Sequence, residues 1–190
     1  MRAAVCLALL LVSVSSLTFA QADPALLHQL RAGGYVLYFR HASTDMSQND
    51  ASMKSYEDCA GQRNLTDKGR AEALAIGEHV RRLRIPIGEV LASPFCRTME
   101  TARLAFGRAQ ASGEVRGGSV QATRYEALKK LLSTPVAKGA NRIISSHGNP
   151  FYALAGPPYL AEGEMAIVRP QVSGFVVLGR VGVGDWQVLQ

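Results

Sequence analysis

The chain has 190 residues, 47% of them hydrophobic and 19% charged, with a formal net charge of +6. That length holds one ordinary domain and is too short for two with separate cores. Lys and Arg are scattered without a block of like charges. This argues against a nucleic-acid stripe and suits a positive field that draws in a small anion.

Arg2 precedes an apolar run from Ala3 to Val14, followed by the small-residue stretch SVSSLTFAQA. Ala20 and Ala22 occupy the two small positions of an A-x-A cleavage site, so residues 1–22 read as a signal peptide and residues 23–190 as a single domain. The run falls well short of the roughly 20 residues that span a bilayer. Cys6 should leave with the leader, and no second apolar run of spanning length follows. The expected location is periplasmic or secreted. Cys59 and Cys96 then remain, an even count that in an oxidising compartment predicts one disulfide; the alternative is a pair of unlinked thiols.

The predicted elements alternate. YVLYF (35–39) follows Gly33-Gly34 as a buried strand. After it, residues 42–65 carry no clear structure, and connections of that length are usually functional or disordered. LTDKGRAEALAIGEHVRRLR reads as a helix with Thr66 as N-cap, Ile76, Val80 and Leu83 on one face, and Pro86 beyond its end. EVLAS (89–93) is a second strand and 96–106 a second helix. A short strand over 119–122, a helix over 125–132, the strand NRIISS (141–146) and a short helix after Pro150 follow. MAIV (165–168), GFVVLG (174–179) and WQVL (186–189) read as closing strands with antiparallel pairing. The sum is a three-layer α/β/α sandwich with a mostly parallel central sheet.

Three strands run into one kind of side chain. YVLYF leads to Arg40-His41, EVLAS to Cys96-Arg97, and NRIISS to His147. Ligands of open α/β sheets bind beyond the carboxyl ends of the strands, so parallel neighbours would bring these four cationic or imidazole groups to one crevice. Such a pocket fits phosphate, whose oxygens match arginine forks. A neutral imidazole can attack phosphorus, while the second imidazole and the arginines stabilise the transferring oxygens. No Cys, Asp or Glu keeps ligand spacing with the histidines, so neither a metal nor another cofactor is expected. His79, His28, Arg81, Arg82 and Arg103 read as surface or bystander residues, and Ser145-Ser146 lacks the G-x-S-x-G elbow of a serine nucleophile.

YVLYFRHAST, NLTDKGRAEA, ASPFCRTMETA and IISSHGNP together resemble the four signatures of the histidine phosphatase superfamily, in the same order. The resemblance implies His41 as the phosphorylated histidine, Arg40 and Arg97 as phosphate-binding arginines, and His147 as the second pocket histidine. Asn64 and Thr66 fall in the segment that flanks the pocket and are expected to bind substrate. The usual glycine after the histidine is Ala42 here, and no acidic residue follows His147. This places the chain in the smaller, phosphoglycerate mutase-like branch, where the general acid lies between the second arginine and the second histidine. Glu126 is the positional match and Glu164 the alternative. The short stretch from Glu126 to His147 leaves no room for the substrate-covering insertion of the mutases, which favours hydrolysis. Small exported members of this kind resemble phosphatases of lipopolysaccharide-core heptose phosphates.

The expected function is therefore a phosphomonoesterase acting on a small phosphorylated substrate, with no nucleic-acid partner. A non-catalytic phosphate-ligand binder is one alternative. A phosphohistidine-protein phosphatase is another, disfavoured by export.

Overall fold

The computed structural model describes residues 24–118 and 122–189. The expected leader and the first part of the strand expected over 119–122 lie outside the described residues; Ala122 opens a 3-10 turn that runs to Tyr125.

In chain order the elements are α1 (Pro24–Ala32), β1 (Val36–Arg40), α2 (Asp67–Arg82), β2 (Ile87–Ala92), α3 (Cys96–Phe106), β3 (Gln110–Ala111), α4 (Glu126–Ser133), β4 (Asn141–Ser146), α5 (Gly148–Ala155), β5 (Met165–Gln171) and β6 (Gly174–Val181). The sheet order is β3-β2-β4-β1-β5-β6. The first four strands in that order run parallel, and β5 and β6 each pair antiparallel with the strand before them.

Strand periodicity divides the core into two layers. Leu37 and Phe39 of β1 pack with Ile143 and Ile167 against Leu30, Ile76, Val80 and Ala102 from α1, α2 and α3. Val36 and Tyr38, one residue out of phase, face the other way with Ile144, Ala166 and Val168. They cover Leu128, Leu132 and Phe151 from α4 and α5. Helices on both faces of one largely parallel sheet give the expected three layers.

The last predicted strand forms differently. Residues Trp186–Leu189 make a 3-10 turn. Trp186 is fully buried and lies parallel to the rings of Phe39 and His79, at centroid distances of 6.4 and 5.6 Å. Aromatic packing under α2 outweighs the strand propensity of WQVL. It also gives His79 a structural place, with its Nδ1 2.8 Å from an Arg82 guanidinium nitrogen.

Parallel register is what positions the site. Arg40 lies opposite Ser146, and Ala92 opposite Ser145. The pairing continues past the strand ends: the His41 amide donates to the Ser146 carbonyl at 3.0 Å, and the Ser93 amide to the Ser145 carbonyl at 2.9 Å. His41, Ser93 and His147 therefore leave three adjacent strands at one level.

The long 42–65 connection is tied down along its length. Thr66 caps α2 by accepting from the Gly69 amide at 3.0 Å. A Cβ on Gly69 would run into the Ser43 backbone, so glycine is required for that approach. Cys59 and Cys96 form a disulfide with Cα atoms 5.7 Å apart, and the buried Gln62 accepts from the Cys96 amide at 2.9 Å while donating to the Tyr56 carbonyl at 3.0 Å. A bridge across 37 residues restricts the unfolded chain strongly. Reduction and alkylation should lower unfolding free energy by about 2–4 kcal/mol in urea titrations. An unchanged midpoint would contradict this role.

Candidate active site

A cavity of about 270 Å³ opens beyond the carboxyl ends of β1, β2 and β4. Its charged and titratable walls are Arg40, His41, Asp50, Arg63, Arg97, His147 and Tyr159; Phe95, Asn149 and three glycines complete it. Thus the four residues predicted from the strand ends do meet. The ring centroids of His41 and His147 are 5.5 Å apart, edge to face.

His41 is oriented from below. Its Nδ1 lies 3.0 Å from the Ala42 carbonyl, which can only accept, so Nδ1 carries the proton and Nε2 keeps a free lone pair. The Ala42 amide donates to Thr101 Oγ1 at 3.2 Å, and the Ala42 methyl packs with Leu65 and Ala73. Alanine is therefore accommodated where the resemblance expects glycine. Glu162 stands on the Nδ1 side, 3.9 Å away. It accepts from Arg40 at 3.3 Å, from the Thr44 hydroxyl at 2.7 Å and from the Thr44 amide at 3.0 Å. Arg40 also donates to the Leu160 carbonyl at 2.8 Å.

His147 is held from both ends. Tyr38 donates its hydroxyl to the His147 carbonyl at 2.7 Å, and His147 Nε2 lies 2.8 Å from Ser93 Oγ. A Cβ on Gly117 would come within 2.6 Å of the His147 ring, so only glycine lets that wall close on the imidazole.

Both histidines are buried, and burial disfavours the charged form. For His41 burial is the largest effect; the Ala42 carbonyl opposes it, while Arg97, Arg40 and Arg63 reinforce it, leaving a pKa of about 3. His147 is driven well below the ordinary histidine value by burial first, then by His41 and the arginines. Both rings are neutral near pH 7, as a nucleophile requires.

Depressed histidine values also set a stability trend. The unfolded chain protonates these rings near pH 6.5 while the native pocket resists, so the unfolded state binds more protons. The stability is complete above about pH 6.5 and is lost as pH falls toward the native values. Urea midpoints should fall between about pH 7.5 and 5.5. His147→Gln should flatten that slope, and an unaltered slope would contradict the assignment.

Arg97 reaches the pocket from the first turn of α3. It donates to Asp50 Oδ1 at 2.8 Å and Oδ2 at 3.0 Å, and to the Arg63 carbonyl at 3.2 Å. Among the described residues, the buried Nε groups of Arg97 and Arg63 have no acceptor. An orphaned buried donor costs about 1–3 kcal/mol, and a phosphate oxygen is the kind of group that would satisfy it.

The remaining predicted residues lie elsewhere. Glu126 is exposed on α4, 4.0 Å from Lys129, and does not line the cavity. Glu164 accepts from the Ala161 amide at 2.7 Å and its backbone carbonyl from the Arg40 amide; its side chain is also outside the cavity. Asn64 donates to the Cys59 and Gln62 carbonyls at 2.7 and 2.8 Å and faces a separate groove, and Thr66 is consumed by its cap. These two shape the loop and make no part of the cavity wall. Asp50, Arg63 and Glu162 were not foreseen. The length of the 42–65 connection was the signal for the first two, and Glu162 stands two residues before the glutamate that was considered.

The sequence model of the histidine phosphatase superfamily (branch 1) matches residues 36–118, the span that supplies Arg40, His41 and Arg97. Over that span the chain is similar to the histidine phosphatase superfamily. Solved structures share the fold. A mycobacterial glucosyl-3-phosphoglycerate phosphatase with inorganic phosphate is 15% identical, with 82% of this chain and 99% of that one covered and a TM-score of 0.57. A phosphoserine phosphatase mutant from Entamoeba histolytica with phosphoserine is 12% identical, covering 82% and 99%, at 0.56. The protein histidine phosphatase SixA with tungstate is 20% identical, covering 78% and 97%, at 0.53. No curated protein matches the sequence. No helix among the described residues is long and apolar enough to cross a membrane. No cluster of three potential metal-ligating side chains occurs among them either.

Proposed function

We propose that this phosphatase hydrolyses a small phosphomonoester outside the cytoplasm by way of a phosphohistidine on His41. The observation that carries the reading is the free Nε2 lone pair of His41, fixed by the Nδ1 contact to the Ala42 carbonyl, in a cavity walled by three arginines and a second histidine. His41 Nε2 attacks phosphorus as the ester P–O bond breaks. Arg40, Arg63 and Arg97 bear the charge on the equatorial oxygens. An arriving dianion also favours protonation of His147, which then donates to the same oxygens. Water next attacks the phosphohistidine, the P–N bond breaks, and phosphate leaves.

The cavity has room beyond a phosphoryl group held among the arginines, and the alcohol portion would lie beside Asn149 and Tyr159, which also line it. Tyr159 is 44% exposed, a face on which a sugar ring can rest. A phosphorylated sugar of the bacterial envelope, such as a lipopolysaccharide-core heptose phosphate, fits this chemistry. The leader expected over 1–22 and the disulfide support an oxidising, extracytoplasmic setting.

One observation favours a second reading. Neither Glu126 nor Glu164 reaches the cavity, and a phosphohistidine substrate, whose leaving group is an imidazole, needs little acid assistance. SixA is a protein histidine phosphatase of similar fold. Steady-state assays with an aryl phosphate, a sugar phosphate and a phosphohistidine peptide separate the readings. The first reading expects both esters to be turned over. Turnover of the peptide alone would favour the second, and phosphate binding without turnover of any of them would make the protein a binder.

A further inference from the structure

Among the described residues that line the cavity, Asp50 is the one carboxylate. Both its oxygens sit on the Arg97 fork, and Oδ1 also accepts from the Arg63 amide at 2.9 Å. Its side chain is only one-third exposed. The other acidic side chain near the nucleophile, Glu162, stands on the Nδ1 side of His41 and cannot meet a leaving group opposite Nε2. We infer that Asp50 is an internal stand-in for phosphate on Arg97, and that substrate displaces it and thereby turns it into the general acid. The inference rests on the phosphatase reading above.

The physics of the pocket links displacement to proton loading. Burial alone would raise the Asp50 pKa, but the hydrogen bonds and charges of Arg97 and Arg63 hold it below the usual carboxylate range. The charged groups that face it are Arg97 from α3 and Arg63 from its own loop, with Arg40, His41 and His147 across the cavity. A substrate dianion that takes the Arg97 fork removes the main stabiliser of the carboxylate and sets negative charge beside it. Both changes favour the protonated form. The proton then passes from Asp50 to the ester oxygen as the His41 Nε2–P bond forms and the P–O bond breaks. In the second half-reaction the Asp50 carboxylate takes a proton from the attacking water as the P–N bond breaks, which restores the carboxylic acid. Release of phosphate lets Asp50 lose that proton and return to Arg97.

Asp50→Asn keeps the side-chain shape and an acceptor for the Arg63 amide, and abolishes both proton donation and the competing charge. Thermal unfolding of the variant checks that it folds. Two measurements follow, on wild type and variant. The first is kcat/KM for an aryl phosphate and for glycerol phosphate, which reads only the steps through departure of the alcohol. The ratio of glycerol phosphate to aryl phosphate should fall by about 10²-fold or more in Asp50→Asn, because an alkoxide leaving group needs the proton far more. The second is calorimetric titration with inorganic phosphate in buffers of different ionisation enthalpy. Asp50→Asn should bind phosphate roughly tenfold more tightly, since its Arg97 is already free, and should take up less proton than wild type. An unchanged ratio would overturn the acid role. Weaker phosphate binding by the variant would overturn the stand-in role and leave Asp50 as a support for Arg97. Absence of aryl phosphate turnover by wild type is a different failure: it removes the phosphatase reading and the acid role with it, while the titration still reads the displacement.

Discussion

His41→Ala should reduce kcat/KM for an aryl phosphate by on the order of 10⁴-fold or more, because no other group at that position can form the covalent intermediate. The loss should persist with the best leaving groups, since what disappears is bond formation to phosphorus and not help to the departing alcohol. Phosphate binding should largely survive, because Arg40, Arg63 and Arg97 reach the cavity from separate segments. His41 is almost fully buried, so truncation also leaves a small void; His41→Asn fills more of it and should be equally inactive. A folded His41→Asn protein with near-normal turnover would remove His41 from the mechanism.

Arg97→Ala should have the next largest effect, a fall of about 10²–10³-fold in turnover together with weakened phosphate affinity. Arg97 is nearly buried, its fork is paired with Asp50 and its Nε is without an acceptor. Its removal deletes the charge aimed at the equatorial oxygens and leaves the Asp50 carboxylate facing the substrate dianion. The second effect is repulsive, so the loss should exceed that of a single missing donor. Arg97→Lys restores a point charge but no planar fork, and should recover only part of the rate. Adding Asp50→Asn to Arg97→Ala should recover affinity for inorganic phosphate, read by calorimetry, because the unpaired carboxylate is then gone. A double variant that binds inorganic phosphate no more tightly than Arg97→Ala would contradict that repulsion.

The four strand-end residues were legible because parallel register is a local rule with a long reach. Once YVLYF, EVLAS and NRIISS are neighbours, the residues after them share one rim, and the bonds from His41 to Ser146 and from Ser93 to Ser145 show that level. The two-layer core follows from alternation along β1, where Leu37 and Phe39 face one set of helices and Val36 and Tyr38 the other. The 42–65 segment obeys no such period. Its path depends on distant partners, above all Cys96, which bonds to Cys59 and donates its amide to Gln62. Asp50 and Arg63 reach the cavity only because that path is fixed, so neither was visible in its immediate sequence. Glu126 shows the opposite failure. A glutamate opening a helix suited the site by position, but a first-turn carboxylate is favourable there for electrostatic reasons alone, and it points to solvent beside Lys129. Trp186 fails for a third reason: strand propensity over WQVL is overridden by stacking on Phe39 and His79.

The central claim is the phosphohistidine, and the most direct measurement is to trap it. Wild-type protein is mixed with an isotopically labelled aryl phosphate, quenched in alkali during the first turnover, digested and mapped. The label should be on the peptide that contains His41, bound at Nε2, stable in alkali and lost in acid, and it should be absent from His41→Asn. Aryl phosphate turnover with no protein-bound label at any quench time, or with label on another residue, would contradict the account.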